Sequence, residues 1–146
     1  MKKQVFIVAI VLFFTASNIL SQTNVNVGVA VSRNYTGCGT ATDLGYYYVH
    51  SEVKKRYDLY REVKREAANR YGGSVTEAEL NYNGENYLII IGCSAITSGG
   101  CRKYNYGVGF GFCYSEALEN AKKNLKESGQ YTESSLPYEI IVSEEF

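Results

Sequence analysis

The chain contains no tryptophan, one proline, one histidine and one methionine, and its 15 basic residues balance 15 acidic ones. Each shortage narrows the reading. A single histidine, His50, beside four cysteines is a poor ligand set for a metal, because zinc sites group Cys and His at short spacings. Seven residues separate Cys93 from Cys101 and eleven separate Cys101 from Cys113, which fits no such pattern. No metal and no cofactor are expected. The even charge balance leaves no electrostatic footprint for nucleic acid. The most basic stretch, from Lys54 to Arg65, is interrupted by Asp58 and Glu62. Glu52–Arg56 and Glu62–Arg65 are favourable neighbours on a helix, so the stretch reads as a solvated helix face.

Long apolar runs are missing too. The run from Val5 to Phe14 is ten residues, against the ~20 that a spanning helix needs. Met1-Lys2-Lys3 precedes it and small and polar residues follow, the build of a secretory signal peptide over residues 1–21. Cleavage after Ser21 leaves 125 of the 146 residues, with 13 basic against 15 acidic groups. The expected product is secreted or periplasmic, with no membrane span.

Local catalytic signatures are absent as well. There is no Gly-x-Ser-x-Gly and no His-Glu-x-x-His, and the alternating glycines Gly107, Gly109 and Gly111 lie inside a strand rather than at a phosphate-cradling turn. The one enzymatic idea pairs Cys113 with His50. Both fall at predicted strand-to-helix junctions, where a helix N-terminus lowers a thiol pKa.

What the chain does have is 14 tyrosines, 14 glycines and four cysteines. From Tyr104 to Cys113, Tyr106, Val108, Phe110 and Phe112 share one strand face and the three glycines share the other. Glycine weakens a strand, so three in alternation imply a helix or backbone packed closely over that face. Ser115 then suits an N-cap and Gly129 a left-handed stop, with Ala117, Leu118, Ala121 and Leu125 as the apolar stripe.

The same order occurs earlier. Strand Asn24–Ser32, a glycine-rich loop with Cys38, strand Gly45–Val49, a helix from Ser51-Glu52 to about Tyr71 and strand Val75–Tyr82 form one unit. Strand Tyr87–Ile96, a loop with Cys101, strand Tyr104–Cys113, a helix and strand Tyr138–Ser143 form the other. The spacing predicts an α+β fold, a mostly antiparallel sheet of about six strands with two helices. It suggests a tandem ββαβ repeat within a single domain over 22–146, with units 24–82 and 86–144. Asn83-Gly84 between the units is a strong hairpin signal, which predicts that the third strand pairs with the fourth. The run Tyr87–Ile91 is the expected central strand, and Val53, Tyr57, Tyr60, Val63, Ala67 and Tyr71 the expected core stripe of the first helix.

In an exported chain, Cys38, Cys93, Cys101 and Cys113 are expected to form two disulfides. Cys93–Cys101 with Cys38–Cys113 is the favoured pairing by loop closure. Symmetry of the units argues instead for Cys38–Cys101. Consecutive Tyr46, Tyr47 and Tyr48 must alternate between faces, so some rings reach solvent or a partner. The expected function is a binding module whose surface comprises Tyr35, Tyr46, Tyr48, Tyr104 and Tyr106, taking a protein, peptide or glycan ligand. The alternatives are a small enzyme using Cys113 with His50 and an inhibitor presenting a cysteine loop.

Overall fold

The computed structural model describes residues 25–75, 78–82, 84–132 and 136–146. The expected signal segment 1–21 lies outside the described residues, as do residues 76–77 of the expected third strand and Asn83 of the expected hairpin turn. The elements run β1 (Asn26–Tyr35), β2 (Ala41–Ser51), α1 (Arg56–Tyr71), β3 (Ala78–Leu80), β4 (Tyr87–Ile96), β5 (Arg102–Gly111), α2 (Tyr114–Gly129) and β6 (Glu139–Glu145).

The α+β class and the six antiparallel strands stand, but the strands divide into two sheets rather than one. Their orders are β2-β1-β3 and β5-β4-β6, so β3 pairs with β1, and β4 with β5 and β6. The pairing of the third strand with the fourth, expected from Asn83-Gly84, is not made. The reason is burial. Val27, Val29 and Ala30 of β1 are buried, and so are Leu88, Ile89, Ile90 and Ile91 of β4. A strand apolar on both faces needs a layer on each side. Each of these two strands therefore becomes the centre of its own sheet, and the sheets stack.

The result is four layers. Val27 and Val29 meet Leu88, Ile90, Val108, Phe110 and Val142 in a core between the sheets. On the outer face of the first sheet, Ala30 packs with Val63 and Ala67 of α1. On the outer face of the second, Ile89, Ile91 and Cys93 pack with Ala117, Ala121 and Leu125 of α2. The alternation of side chains along each central strand thus feeds two separate cores.

The glycines of β5 do what their spacing demands. A Cβ on Gly107 would run into the Ala121 carbonyl, one on Gly109 into the Ala117 carbonyl and the Ala121 amide, and one on Gly111 would sit 2.6 Å from the Ala117 nitrogen. Helix α2 therefore rests on backbone, closer than any side chain would allow.

The helix ends differ from expectation. Helix α1 begins at Arg56, and Ser51 instead closes the preceding turn, its Oγ accepting from the Lys54 amide at 3.0 Å. Its buried stripe is consequently Leu59, Val63 and Ala67, while Val53 and Tyr57 are exposed. Gly72 and Gly73, both at positive φ, stop it as expected. The cap of α2 is Cys113, one residue before the helix, and Ser115 lies in the first turn. At the other end Gln130, not Gly129, takes the left-handed conformation. Gly129 is needed for space: a Cβ there would strike the Tyr131 ring.

Candidate functional site

Strands β2 and β5 are edge strands of different sheets. Their inward-facing tyrosines meet across the seam between the sheets. The Tyr46 and Tyr48 rings stack at 6.4 Å, Tyr46 meets Tyr106 edge-on at 5.1 Å, and Tyr106 meets Tyr104 edge-on at 5.1 Å. All four are half-buried, and Tyr46, Tyr48 and Tyr106 also wall the inter-sheet core. Four of the five tyrosines proposed from sequence are thus brought together. Tyr35, at the end of β1, is 69% exposed and has no part in these ring contacts.

Two carboxylates from β6 complete the cluster. The Tyr48 hydroxyl donates to Glu144 Oε1 at 2.6 Å, and the Tyr104 hydroxyl donates to Glu139 Oε1 at 2.8 Å. Tyr104 reaches Glu139 by lying over Gly92, where any side chain would collide with its ring. Because a phenol that donates to a carboxylate resists ionisation, Tyr48 is pushed up to about 12 by Glu144, with burial adding to it. Burial and then Glu139 raise Tyr104, and burial is the first cause for Tyr46 and Tyr106. Sequence reasoning missed both glutamates. Their signal was weak: acidic residues on the last strand, far in sequence from the Tyr48 and Tyr104 that they bond.

Beside the cluster lies a part-buried ion pair that was also missed. Arg33 Nε donates to Asp43 Oδ1 at 2.6 Å, and Asp43 Oδ2 accepts from the Tyr106 amide at 2.8 Å. Asp43 therefore fixes both a charge on β1 and the backbone of β5, across the two sheets. Thr42 does the same for Tyr104, whose amide donates to its Oγ1 at 3.0 Å.

Two matching loops close this end. Thr36 and Thr97 each open a turn, and Gly39 and Gly100 each occupy its positive-φ position and donate back to that threonine's carbonyl. A disulfide joins Cys38 of the first loop to Cys101 of the second. Cys93 and Cys113 are unpaired, so the expectation of two bridges, and of Cys93–Cys101 with Cys38–Cys113, is corrected. Cys93 faces away from the loop, buried under α2. Cys113 is separated from Cys101 by the whole of β5, a ten-residue strand of roughly 33 Å.

The proposed partners Cys113 and His50 do not form a dyad. His50 lies 5.0 Å from the Phe146 ring, and the Cys113 sulfur lies 3.2 Å from Ser115 Oγ, with no hydrogen bond between Cys113 and His50. Ser115 and the Glu116 backbone nevertheless lower the Cys113 pKa, and the thiol is exposed.

A last set of polar groups was legible only in three dimensions. Along the free edge of β5, the Phe112 amide donates to Glu116 at 2.9 Å and the Val108 amide to Asn124 at 3.2 Å. Asn120 donates to the Phe110 carbonyl at 2.8 Å and Ser128 to the Tyr106 carbonyl at 3.5 Å. These four residues are spaced by four along α2. Four helical residues rise about 6 Å and two strand residues about 6.6 Å, so one helix turn keeps step with one strand repeat. The helix supplies a polar ladder where another strand would otherwise pair. No family model, no curated protein and no solved structure matches the chain.

Proposed function

We propose that the protein is an exported binding module whose recognition surface is the tyrosine–carboxylate seam. The observation that carries this is the meeting of Tyr46, Tyr48, Tyr104 and Tyr106 with Glu139 and Glu144, all drawn from three strands of two sheets. Half-buried rings give a rigid contact area at low entropic cost, and carboxylates beside them accept from hydroxyl or ammonium donors. That chemistry suits a glycan or a basic peptide segment, which would present an apolar face to the rings and donors to the acids. Export is supported by the signal-like residues 1–21 and by the Cys38–Cys101 disulfide.

Glycan and basic-peptide arrays probed with the exported protein test the reading. Glu139→Gln and Glu144→Gln together, and Tyr104→Phe separately, keep the ring packing. Binding to the selected ligand is expected to fall at least tenfold in the double variant. Undiminished binding by the folded double variant would overturn the site. The mass of the exported protein reports the N-terminus, and an intact Met1 would overturn export by cleavage.

A second reading rests on Cys113. An exposed, unpaired thiol with a lowered pKa is suited to thiol chemistry with a partner sulfur or electrophile. It stands without His50 and would be favoured by rapid, selective alkylation at neutral pH.

A further inference from the structure

The two sheets present four edges, β2, β3, β5 and β6, and three of them are guarded. Strand β3, described over Ala78–Leu80, carries the charged Glu79. Strand β5 is stitched to α2 by the ladder of Glu116, Asn120, Asn124 and Ser128. Strand β6 carries Glu139, Glu144 and Glu145 within seven residues. Short strands, covering groups and charges are the usual means by which proteins prevent edge-to-edge pairing.

Strand β2 has none of these from Gly45 onward. It is the longest strand, and its segment GYYYVHS contains no Asp, Glu, Lys, Arg or Pro. The orientation of its backbone follows from β1. The Val27 amide and carbonyl are both engaged by Asn81, on the β3 side. Val27 is opposite His50 in the register, so that pair is of the non-hydrogen-bonded kind, and the alternation makes Tyr48 and Tyr46 the same. The amides and carbonyls of Tyr46, Tyr48 and His50 therefore point away from β1. Among the described residues no side chain is hydrogen-bonded to them.

We infer that the β2 edge is a self-association surface, on which a second copy of this chain adds its own β2 antiparallel about a twofold axis at Tyr47. The partner follows from the strand itself. In this register the outward groups of Tyr46 exchange hydrogen bonds with those of Tyr48 of the second copy, and the reverse, so the same patch serves both partners. Aromatic pairs face one another across the join on both sides of the sheet, and within the strand itself no like charges are opposed. The product is one continuous six-stranded sheet, β3-β1-β2 followed by its symmetry copy. Two tyrosine clusters then lie next to each other on its inner face.

The experiment uses the exported chain with Cys113→Ser, which removes the exposed thiol. Tyr47 would sit on the axis opposite its own copy, in a non-hydrogen-bonded pair with Cα atoms ~4.5 Å apart, within the range a disulfide spans. Its ring lies on the helix-facing side, outside the tyrosine cluster, so this test is independent of the proposed ligand site. Tyr47→Cys is expected to form a covalent dimer under mild oxidation, and Val53→Cys, exposed but off the edge, is expected not to. Sedimentation of the unsubstituted chain over a dilution series is expected to reach twice the monomer mass. Tyr47→Lys, which sets two like charges on the axis, is expected to return it to the monomer. A chain that stays monomeric to its solubility limit would overturn the inference, as would equal cross-linking of both cysteine variants. So would a monomer whose Tyr46, Tyr48 and His50 amides are shifted by a peptide of the Ala41–Ser51 sequence, because the edge would then belong to a peptide ligand.

Discussion

The two ββαβ halves have the same strand order and differ in how closely each helix lies on its sheet. In the second half, β5 offers Gly107, Gly109 and Gly111 to α2, and the helix answers with Ala117 and Ala121. In the first half the corresponding face of β2 offers Gly45, Tyr47 and Val49, and α1 stands above side chains. Only the close helix can reach the strand edge with short side chains. Asn120, Asn124 and Ser128 bond to β5, whereas on α1 Arg56 donates to the Asn81 carbonyl and Arg70 lies over the Tyr47 ring. Lys54 meets Glu62, Arg65 meets Glu66, and Arg61 lies over Tyr57. Glycine in a strand, costly to the strand alone, here permits a helix to act as its neighbour.

The comparison breaks most severely if the close approach is blocked. Gly109→Val is expected to cost ~3 kcal/mol or more, because a Cβ meets helix backbone that cannot turn aside. Gly45→Ala in the first half meets the Tyr71 side chain at the end of α1 rather than helix backbone, and is expected to cost ~1 kcal/mol in the same denaturant titration. Next comes the link between the halves. Cys38→Ala with Cys101→Ala is expected to cost ~2–4 kcal/mol, since the bridge closes a long loop of the unfolded chain. A double variant as stable as the parent would mean that this loop is not closed in solution.

The ladder itself is a smaller quantity. Asn124→Ala orphans the Val108 amide and is expected to cost ~1–3 kcal/mol. Glu66→Ala in α1 touches no strand and is expected to change stability by less than ~0.5 kcal/mol. Equal effects would erase the distinction drawn between the helices.

How far these differences could be read from sequence depends on how local their causes are. The glycine face of β5, the central position of Tyr87–Ile91 and the Gly72-Gly73 stop are set by neighbours in sequence and were legible. The choice of two sheets was not. Asn83-Gly84 is a strong local signal, but the stacking of β1 on β4 in separate sheets is decided by which residues share a core between segments distant in sequence. The disulfide was legible only through the correspondence of the loops, not through loop closure. Glu139, Glu144 and Asp43 act on strands distant in sequence, and the α2 ladder acts on the strand just before it; nothing in their local pattern says so. The start of α1 was misread because Ser51 caps a turn as readily as a helix.

The smallest expected effects are on titration. A phenol whose pKa is raised by folding stabilises the protein below its unfolded value, and loses that stabilisation as pH rises through the folded value. For Tyr48 the window runs from pH 10 to about 12. Thermal stability is expected to fall across it, and Glu144→Gln to let Tyr48 ionise earlier, as read by tyrosinate absorbance. In the second half, Cys113 is expected to be alkylated at neutral pH faster than a free-cysteine peptide, and Ser115→Ala to slow it, because the Ser115 contact is the first cause of its lowered pKa. A rate unchanged by Ser115→Ala would assign that shift to the helix end instead.

The bridge between the loops has a mechanical consequence. The start of β1 and the end of β6 lie together, linked through His50, which is opposite Val27 and against Phe146. The loops that carry Cys38 and Cys101 lie at the opposite ends of these strands. Tension applied at Asn26 and Phe146 would pass along β1, through the sulfur atoms and back along the second half. The span between the two cysteines, which are 63 positions apart, would be left out of the line of force. A stretched molecule could pay out only the segments before Cys38 and after Cys101, and α1, β2, β3 and β4 would remain a slack, protected loop until the sulfur–sulfur bond was reduced.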